Sequence, residues 1–382
     1  MYTLRPFQKQ ALEVLLRTTS HPEHLLCIAA TGSGKSLIYE KTIQQMKWRT
    51  LLITPLIALA RQQYQKLTHL GIPTRLTSGQ TPPTPPPPQW GAWIMSPESL
   101  LYASKWETLK QWKPHFLVVD ECHCLWEWGE SFRPAFREIP KIIDKIPSIQ
   151  KSLWLTATLP YQAREELRSF FATPFIEQGE FDLPGSLHIS LNRVSFENRI
   201  QTLLDWTLTE PSPAMIFVPT RASTEKIARV LRATGRRVMT YHGGMSSEER
   251  KNTEALIQNQ VPQLIVSTSA FGMGMDYGHL KRVILWQIPT SILSLVQIIG
   301  RVGRGNNSQG RALCLWDSDD FKMMEWSIRG LQKRRIEVQE LFHFYSTAQC
   351  RRSALKEYFQ PNNIPFRCNQ CDWCDQTSIF LQ

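Results

Sequence analysis

The stretch Leu25-Leu26-Cys27-Ile28-Ala29-Ala30-Thr31-Gly32-Ser33-Gly34-Lys35-Ser36 decides the fold, because an apolar run leads into a glycine-rich turn and then into a helical pattern. In such a strand–loop–helix unit the backbone amides turn toward phosphate oxygens. Lys35 is predicted to contact the β- and γ-phosphates of a nucleotide, and the Ser36 hydroxyl to bind Mg²⁺. A simple turn with a surface lysine is the alternative, which the flanking strand and helix disfavour. The predicted nucleotide-binding residues are Thr31, Gly32, Ser33, Gly34, Lys35 and Ser36.

An acid pair follows a second apolar run. The run from Phe116 to Val119 predicts a buried parallel strand, which delivers Asp120 and Glu121 to the sheet edge where ligands bind. Asp120 is predicted to hold Mg²⁺, and Glu121 to polarise the attacking water as a general base. His123 could be a structural ring satisfied by local hydrogen bonds, but in this setting it is predicted to relay between the nucleotide and another domain.

Short apolar runs alternate with helical patterns along most of the chain, which predicts parallel sheets flanked by helices. The alternation stops in a polar stretch around Gly179 to Asn192 and then resumes. We therefore predict two α/β domains, at residues 1–182 and 183–327, and a third small module at 328–382. The predicted strands are Leu25–Ala30, Leu51–Thr54, Trp93–Ser96, Phe116–Val119 and Leu153–Thr156, then Met215–Val218, Val238–Tyr241, Leu264–Ser267, Val283–Gln287 and Ala312–Leu315.

The chain is basic and carries no membrane signal. Its 44 Lys and Arg against 33 Asp and Glu give a formal net charge of +11. That excess favours a polyanionic partner, although the same charge can serve solubility alone. No apolar run approaches the roughly 18 residues of a membrane span, and no signal peptide is visible at the start. We expect no membrane partner and a cytoplasmic protein, associated with the nucleoid if the source is bacterial.

A proline-rich segment interrupts the first half of the chain at residues 81–88. Proline fixes φ and lacks the amide donor, so this segment is predicted to be an exposed polyproline-like loop. It could bind a protein partner of the SH3 or WW kind, but a stiff connecting loop is the simpler interpretation. In the second half, Thr220 is predicted to cap a helix that Gly235 terminates.

Four cysteines cluster near the end of the sequence, at Cys350, Cys368, Cys371 and Cys374. In a cytosolic chain such a cluster favours metal over disulfides. Four thiolates suit a closed, tetrahedral and therefore structural Zn²⁺ site. An iron–sulfur cluster or redox-active thiols could use the same residues.

These ordered motifs resemble the superfamily 2 helicases and, within them, the RecQ-like DNA helicases. The resemblance runs from Leu4 to Cys374. It implies that Arg5 contacts an adenine base and that Gln8 bonds the edge of that base. It also implies that Thr54–Leu59 and Ser96–Glu98 hold the backbone of a single strand.

Further motifs of the resemblance lie at the end of the first domain and in the second. Trp154–Thr158 resembles the motif that couples hydrolysis to strand movement, and Val266–Asp276 resembles the motif that touches nucleic acid and nucleotide, with Asp276 facing the sugar. Gln297 through Arg304 resembles the arginine-finger motif. By this match Arg304 is the finger, which approaches the γ-phosphate from the second domain, and Arg301 also faces the cleft.

The aromatic-rich segment after the acid pair narrows the resemblance to RecQ-like proteins. Base stacking is predicted for Trp128 and Phe132, because every base offers an aromatic face, and Arg133 is predicted to contact nucleic acid. A buried aromatic cluster is the competing interpretation. The residues that match this segment are Trp126, Trp128, Phe132, Arg133 and Phe136.

The resemblance implies an α/β protein with two RecA-like P-loop domains, each with a parallel sheet, plus a small C-terminal helical zinc-binding module. It implies the cofactors ATP, Mg²⁺ and Zn²⁺, and single-stranded and forked DNA as partners. The implied activity is ATP-dependent DNA unwinding with 3′ to 5′ translocation, in repair or recombination. The sequence stops eight residues after Cys374, so we expect a short form without winged-helix and terminal helical domains. A single-strand translocase or annealing factor with weak unwinding, an RNA helicase and a non-catalytic scaffold stay open as alternatives.

Overall fold

The computed structural model describes residues 3–55, 57–77, 85–128, 134–209, 213–259, 263–268, 271, 279–303, 309–328 and 332–375. The chain divides into two compact units, Met1–Asp182 (unit 1) and Leu183–Gln382 (unit 2). Each unit is built on its own sheet, and every strand pairing in both sheets is parallel. The two parallel sheets and the terminal cysteine cluster confirm the predicted fold class.

Unit 1 contains a seven-stranded sheet in the order β3-β4-β2-β5-β6-β1-β7. Its strands are β1 (Glu23–Ile28), β2 (Arg49–Ile53), β3 (Thr74–Thr77), β4 (Gly91–Met95), β5 (Phe116–Val119), β6 (Lys151–Thr156) and β7 (Phe175–Gly179). Its α-helices are α1 (Pro6–Leu16), α2 (Ser36–Met46), α3 (Ile57–His69), α4 (Ala103–Trp112), α5 (Cys124–Trp128), α6 (Lys141–Lys145) and α7 (Tyr161–Ser169), with short 3₁₀ turns at Pro97–Leu101 and Pro134–Glu138.

Apolar side chains cover both faces of this sheet. Along β1, Leu25 and Cys27 pack into the core formed with α1, α2 and α3. The alternate residues Leu26 and Ile28 pack into the core formed with α4, α6 and α7. Such two-sided burial explains why the central strands are nearly continuous apolar runs in the sequence. Because β6 lies between β1 and β5, the segments that follow these three strands meet at one edge of the sheet.

Unit 2 contains a six-stranded sheet in the order β10-β11-β9-β12-β13-β8. Its strands are β8 (Leu187–Arg193), β9 (Ala214–Phe217), β10 (Val238–Tyr241), β11 (Leu264–Ser267), β12 (Arg282–Leu285) and β13 (Gly310–Trp316). Its α-helices are α8 (Arg199–Thr209), α9 (Arg221–Arg232), α10 (Ser247–Gln258), α11 (Ile292–Ile299), α12 (Ser318–Ser327), α13 (Gln332–Ser346) and α14 (Arg351–Phe359), with a 3₁₀ turn at Phe196–Asn198.

The predicted boundaries of α9 are confirmed. The Thr220 hydroxyl accepts the backbone N–H of Ser223 at 3.0 Å, which satisfies one of the free amides of the first turn. The helix ends at Arg232, and Gly235 follows with a φ of +78°.

The cysteine-bearing segment is attached to β8. The Ile189 N–H donates to the Gln370 carbonyl at 3.2 Å, and the Asp372 N–H donates back to the Ile189 carbonyl at 2.9 Å. The Asp372 carboxylate also pairs with Arg351 at 2.9 Å, and both side chains are 2% exposed. Because an ionic group buried this deeply needs its partner, the pair fixes α14 and the cysteine segment to one another.

One expectation from the sequence was wrong, and a second is contradicted at one residue. The polar stretch Gly179 to Asn192 contains most of β8, in which Leu187, Ile189 and Leu191 are buried in alternation. This alternation is the period of a half-buried strand, and the neighbouring proline and glycine concealed it. The proline segment is not exposed throughout, since Pro87 is buried and its carbonyl accepts the indole N–H of Trp112 at 2.7 Å. Residues 81–84 lie outside the described residues.

None of the helices in the described part of the chain has the length and apolar character needed to cross a bilayer.

Candidate nucleotide site and cysteine cluster

The predicted phosphate loop connects β1 to α2 in a strand–loop–helix arrangement. Gly32 and Gly34 adopt φ values of +77° and +85°, a left-handed conformation that side-chain-bearing residues rarely accept. A Cβ atom at Gly34 would lie 2.8 Å from the Gln8 amide nitrogen. The backbone conformation of the loop therefore requires glycine at positions 32 and 34.

The Lys35 side chain lies inside this loop and is only 8% exposed. Its ammonium group donates to the carbonyls of Ala29 at 2.8 Å and Ala30 at 3.2 Å. Hydrogen bonds from an ammonium to a charged oxygen are stronger than those to a neutral carbonyl. The ammonium group is thus poised for an anionic oxygen at the mouth of the loop.

Gln8 fastens the start of the chain to the loop. Its amide nitrogen donates to the Gly34 carbonyl at 2.9 Å, and its amide oxygen accepts the Arg5 backbone N–H at 2.8 Å. Gln8 is buried, whereas Arg5 is exposed at the start of α1. The two residues predicted to recognise a base are therefore adjacent to the phosphate loop, and recognition of the base stays a prediction.

The acid pair stands directly after β5. One Asp120 carboxylate oxygen accepts the Glu121 backbone N–H at 3.0 Å, and the other accepts the Gln63 amide N–H at 2.6 Å. Burial and the neighbouring Glu121 charge raise the pKa of Asp120 to about 7, against the opposing influence of Lys35. Glu121 has a φ of +52°, a conformation that is costly for a residue with a side chain and that is often found at functional sites.

His123 connects the acid pair to the segment after β6. Its Nδ1 atom lies 3.0 Å from the Thr156 hydroxyl and 3.3 Å from a Glu121 carboxylate oxygen. The Thr156 hydroxyl donates its single proton to the Thr158 carbonyl at 2.9 Å, so we assign His123 Nδ1 as the donor to Thr156. These contacts join two segments of unit 1, the one after β5 and the one at the end of β6, while the relay role of His123 stays a prediction.

Two side chains of α3 reach the predicted magnesium ligands, and sequence reasoning missed both. Gln63 bonds Asp120, and one turn later Lys66 donates to the Ser36 hydroxyl at 3.1 Å and pairs with Glu40 at 2.5 Å. The available signal was weak: Gln63 lies in the buried stripe of α3 with Ala60 and Leu67, where an apolar residue is expected.

Three buried hydroxyls at the same edge of the sheet have no hydrogen-bond partner among the described residues: Ser33, Thr54 and Thr158. A buried polar group without a partner costs about 1–3 kcal/mol, so such groups call for an explanation. Together with the Lys35 ammonium and the Asp120 carboxylate, they form a donor and acceptor set that fits a nucleotide with its Mg²⁺.

The remaining predicted residues are described in part. In unit 2, Gln297 lies on α11 and is half-buried. Arg301 follows this helix, and its guanidinium carbon lies 5.8 Å from the centre of the Phe217 ring. Of the aromatic segment, Phe136 is buried in the core and the Trp126 indole donates to Glu166 at 2.5 Å. The Trp128 side chain, Phe132, Arg133, Asp276 and Arg304 lie outside the described residues.

The four clustered cysteines are brought together in unit 2. The sulfur atoms of Cys350, Cys368, Cys371 and Cys374 all lie within 4.8 Å of one another. A hydrogen bond from Cys371 lowers the pKa of the Cys350 thiol below its ordinary value. The four sulfur donors brought together among the described residues fit a closed, structural Zn²⁺ site.

Matches to protein-family models cover the chain in three consecutive segments. The DEAD/DEAH box helicase model matches residues 5–167, and the helicase conserved C-terminal domain model matches residues 197–306. The RecQ zinc-binding model matches residues 318–375, which include all four clustered cysteines. The fold and the site thus define the core of a superfamily 2 helicase.

Curated relatives narrow this class. The ATP-dependent DNA helicase RecQ of Pasteurella multocida is 28% identical over 393 residues, covering 98% of this chain and 61% of the relative. The protein of the same name from Haemophilus influenzae is 27% identical, covering 96% of this chain and 61% of the relative. The chain belongs to the RecQ-like family of superfamily 2 helicases, as predicted. It spans 61% of the length of these two relatives.

Solved structures agree on the fold. Saccharomyces cerevisiae Dbp5 bound to RNA and ADP BeF3 matches with a TM-score of 0.67 and 16% identity, over 88% of this chain and 93% of that chain. The Mycobacterium smegmatis helicase Lhr bound to ssDNA and AMP-PNP matches with a TM-score of 0.63 and 20% identity, over 91% of this chain and 51% of that chain. At these identities the likeness concerns the fold alone.

Proposed function

We propose that the protein is an ATP-dependent DNA helicase that hydrolyses ATP with Mg²⁺ and moves 3′ to 5′ on single-stranded DNA, unwinding duplex in repair or recombination. The observation that carries the proposal is the convergence of Lys35, Asp120, Glu121 and the His123–Thr156 contact at one edge of the sheet in unit 1. With chromosomal DNA as substrate, the expected location is the cytoplasm, at the nucleoid in a bacterium.

The residues of unit 1 divide the chemistry among them. The loop amides and Lys35 would bind the phosphates, and Glu121 would take a proton from the attacking water. Mg²⁺ held by Ser36 and Asp120 would neutralise charge that develops on the phosphate oxygens. His123 contacts both Glu121 and Thr156, so it would report the state of the acid pair to the segment that ends at Thr158.

Other assignments rest on the family resemblance. Arg5 and Gln8 are proposed to bind the base, and Asp276 the sugar. Gln297, Arg301 and Arg304 are proposed to act on the transferred phosphoryl group, with Arg304 as the finger. We also propose the three-part division at residues 1–182, 183–327 and 328–382. The proposed DNA contacts are Trp128, Phe132 and Arg133, and a protein partner at the proline segment 81–88 is a weaker proposal.

The decisive measurement is steady-state ATP hydrolysis with no nucleic acid, with a single-stranded DNA oligonucleotide and with an RNA of the same sequence. We expect DNA to stimulate turnover, and Lys35→Ala to remove it. Stimulation by RNA far above that by DNA would instead make the chain an RNA helicase. Absence of turnover in a folded sample would leave a nucleic-acid-binding scaffold.

Unwinding needs a separate assay. A forked duplex with a 3′ single-stranded tail should be separated, and the same duplex with a 5′ tail should not. Strong DNA-stimulated hydrolysis with little strand separation on either substrate would favour the translocase or annealing alternative. Zinc is tested by metal analysis of the purified chain, in which about one Zn²⁺ per chain is expected. Iron in place of zinc would indicate a cluster.

A further inference from the structure

The helix α3 joins a predicted DNA-binding segment to the predicted magnesium site. It begins at Ile57, inside the segment Thr54–Leu59, which the family resemblance implies holds the single-strand backbone. Six residues further on, roughly 9 Å along the helix axis, Gln63 donates its amide hydrogen to Asp120 at 2.6 Å. One continuous helix therefore connects the predicted DNA-binding segment to Asp120.

The surroundings of Gln63 differ from those of an ordinary packing glutamine. It is 6% exposed, and its amide oxygen has no hydrogen-bond partner among the described residues. A buried glutamine with a structural role normally satisfies both ends of its amide. Here the bond to Asp120 orients the side chain, because the ionised carboxylate that would bind Mg²⁺ only accepts and must face the amide nitrogen.

The same helix also contacts the second predicted magnesium ligand. Lys66 follows Gln63 by one turn, so both side chains project from one face of α3. The Lys66 ammonium bonds the Ser36 hydroxyl at 3.1 Å and Glu40 at 2.5 Å. Unlike Gln63, the Lys66 side chain is 51% exposed, which makes its contribution the smaller of the two.

We propose that Gln63 is a positioning residue that fixes the Asp120 carboxylate for Mg²⁺ and makes magnesium affinity depend on single-stranded DNA bound at the start of α3. The inference rests on the proposed function for the DNA segment and the magnesium ligands. Residues that orient a metal ligand typically change metal affinity or activity by about 10- to 100-fold when they are lost.

The test compares three methionine variants on one helix: Gln63→Met, Lys66→Met and the exposed neighbour Gln62→Met as the matched control. A fluorescent ADP analogue is titrated with and without Mg²⁺, in the presence and absence of a single-stranded thymidine oligonucleotide. The wild type should bind the Mg²⁺ complex more tightly with DNA present. Gln63→Met should weaken binding of the Mg²⁺ complex roughly 10-fold, leave Mg²⁺-free binding unchanged and abolish the DNA effect. Lys66→Met should show a smaller loss of the same kind.

Coupling between two binding sites is reciprocal, which provides a second readout. In the wild type, the Mg²⁺ complex of the ADP analogue should raise the affinity of the protein for DNA by a certain factor. DNA should raise the affinity of the protein for that Mg²⁺ complex by the same factor. This mutual factor should fall to about one in Gln63→Met. Mg²⁺-free binding of the analogue verifies folding in each sample, and Gln63→Leu replaces the methionine variant if that variant does not fold.

Three results would overturn the inference: Gln63→Met behaving like Gln62→Met, an equal loss of binding with and without Mg²⁺, or a DNA effect that persists in Gln63→Met. Failure of the proposed function is a different outcome. It would appear in the wild type as absent ATP hydrolysis with DNA, whereas the effect of Gln63 on the Mg²⁺ complex would still be measurable without DNA.

Discussion

At the amino ends of β1 and β6, unit 1 buries polar side chains whose hydrogen bonds are complete. Beyond the carboxyl ends of the same two strands, the buried hydroxyls of Ser33 and Thr158 have no hydrogen-bond partner among the described residues. At the amino ends, Lys151 donates to Glu23, the Val14 carbonyl and the Thr19 hydroxyl, which uses all three of its hydrogens. His24, the second residue of β1, contacts Ser152 at 2.7 Å and Thr173 at 2.8 Å.

At the same edge of the sheet, after the neighbouring strand β5, Glu121 adopts a positive φ and the pKa of Asp120 is raised. The two ends have the same strands and similar burial, so burial alone does not distinguish them. The difference lies in completion of the hydrogen bonds: a completed network stabilises the fold, and an incomplete one is available to a ligand. Mutations at the two ends should therefore affect different measured quantities.

The largest effect is expected at the carboxyl end. Glu121→Gln should lower kcat for ATP hydrolysis by about 10²- to 10⁴-fold, because the amide cannot accept a proton from water. Nucleotide binding and the melting temperature should stay close to those of the wild type. The matched control is Glu107→Gln, at an exposed position on α4. A variant that loses both turnover and stability would remove the contrast between the two ends.

At the amino end, Lys151→Met should destabilise the protein by about 3 kcal/mol or more, because it leaves the buried Glu23 carboxylate with Arg17 as its remaining cation. Denaturant unfolding measures this loss, and kcat measured well below the melting temperature should be unchanged. Lys110→Met, which breaks an exposed ion pair with Glu107, should cost less than about 1 kcal/mol. Equal costs for the two variants would contradict the account.

The buried His24 predicts a pH dependence at the amino end. Burial lowers the pKa of His24 to about 4, whereas the ordinary value is near 6.5. Between these two pH values His24 is protonated in the unfolded chain and neutral in the folded protein. The stability that the neutral His24 contributes is present above pH 6.5 and is lost as the pH falls to about 4, a change of about 3 kcal/mol. The free energy of unfolding of His24→Gln should decline less on acidification than that of the wild type. His69→Gln, at an exposed position, should follow the wild-type curve.

The smallest effect is a gain. Thr158→Val replaces an unpaired buried hydroxyl with a methyl group and should raise the free energy of unfolding by up to about 1 kcal/mol. DNA-stimulated hydrolysis should fall several-fold in the same variant. Thr156→Val should lower the free energy of unfolding, because the Thr156 hydroxyl makes hydrogen bonds with both His123 and Thr158. Denaturant unfolding of both variants measures these changes. A loss of stability in Thr158→Val would show that the wild-type Thr158 hydroxyl has a hydrogen-bond partner in solution.

The sequence predicts those parts of the molecule that depend on neighbours along the chain. The strand Phe116–Val119 was predicted at its observed bounds, because four consecutive apolar residues before two acids leave little ambiguity. The phosphate loop and the four cysteines were recognisable from spacing alone. In each case the chemistry requires particular residue types at short separations, which a single sequence displays directly.

Features that depend on residues distant in the chain were not predictable in the same way. Gln63 lies 57 positions from Asp120, and nothing in the pattern of α3 identifies its partner. The strand β8 pairs with β13, far along the chain, so its short sequence does not by itself identify a strand. Phe136 matched the aromatic segment by composition, yet it is buried in the core of unit 1.

The attachment of the cysteine segment to β8 has a consequence for self-association. β8 is the last strand of its sheet, and the bonds of Ile189 with Gln370 and Asp372 occupy backbone groups on its outer side. An uncovered outer strand offers a row of free N–H and C=O groups with which another copy of the chain can pair. The segment that carries the clustered cysteines therefore covers part of this row, at Ile189. Withdrawal of zinc should make the molecules aggregate through β8, a hazard distinct from any loss of catalysis.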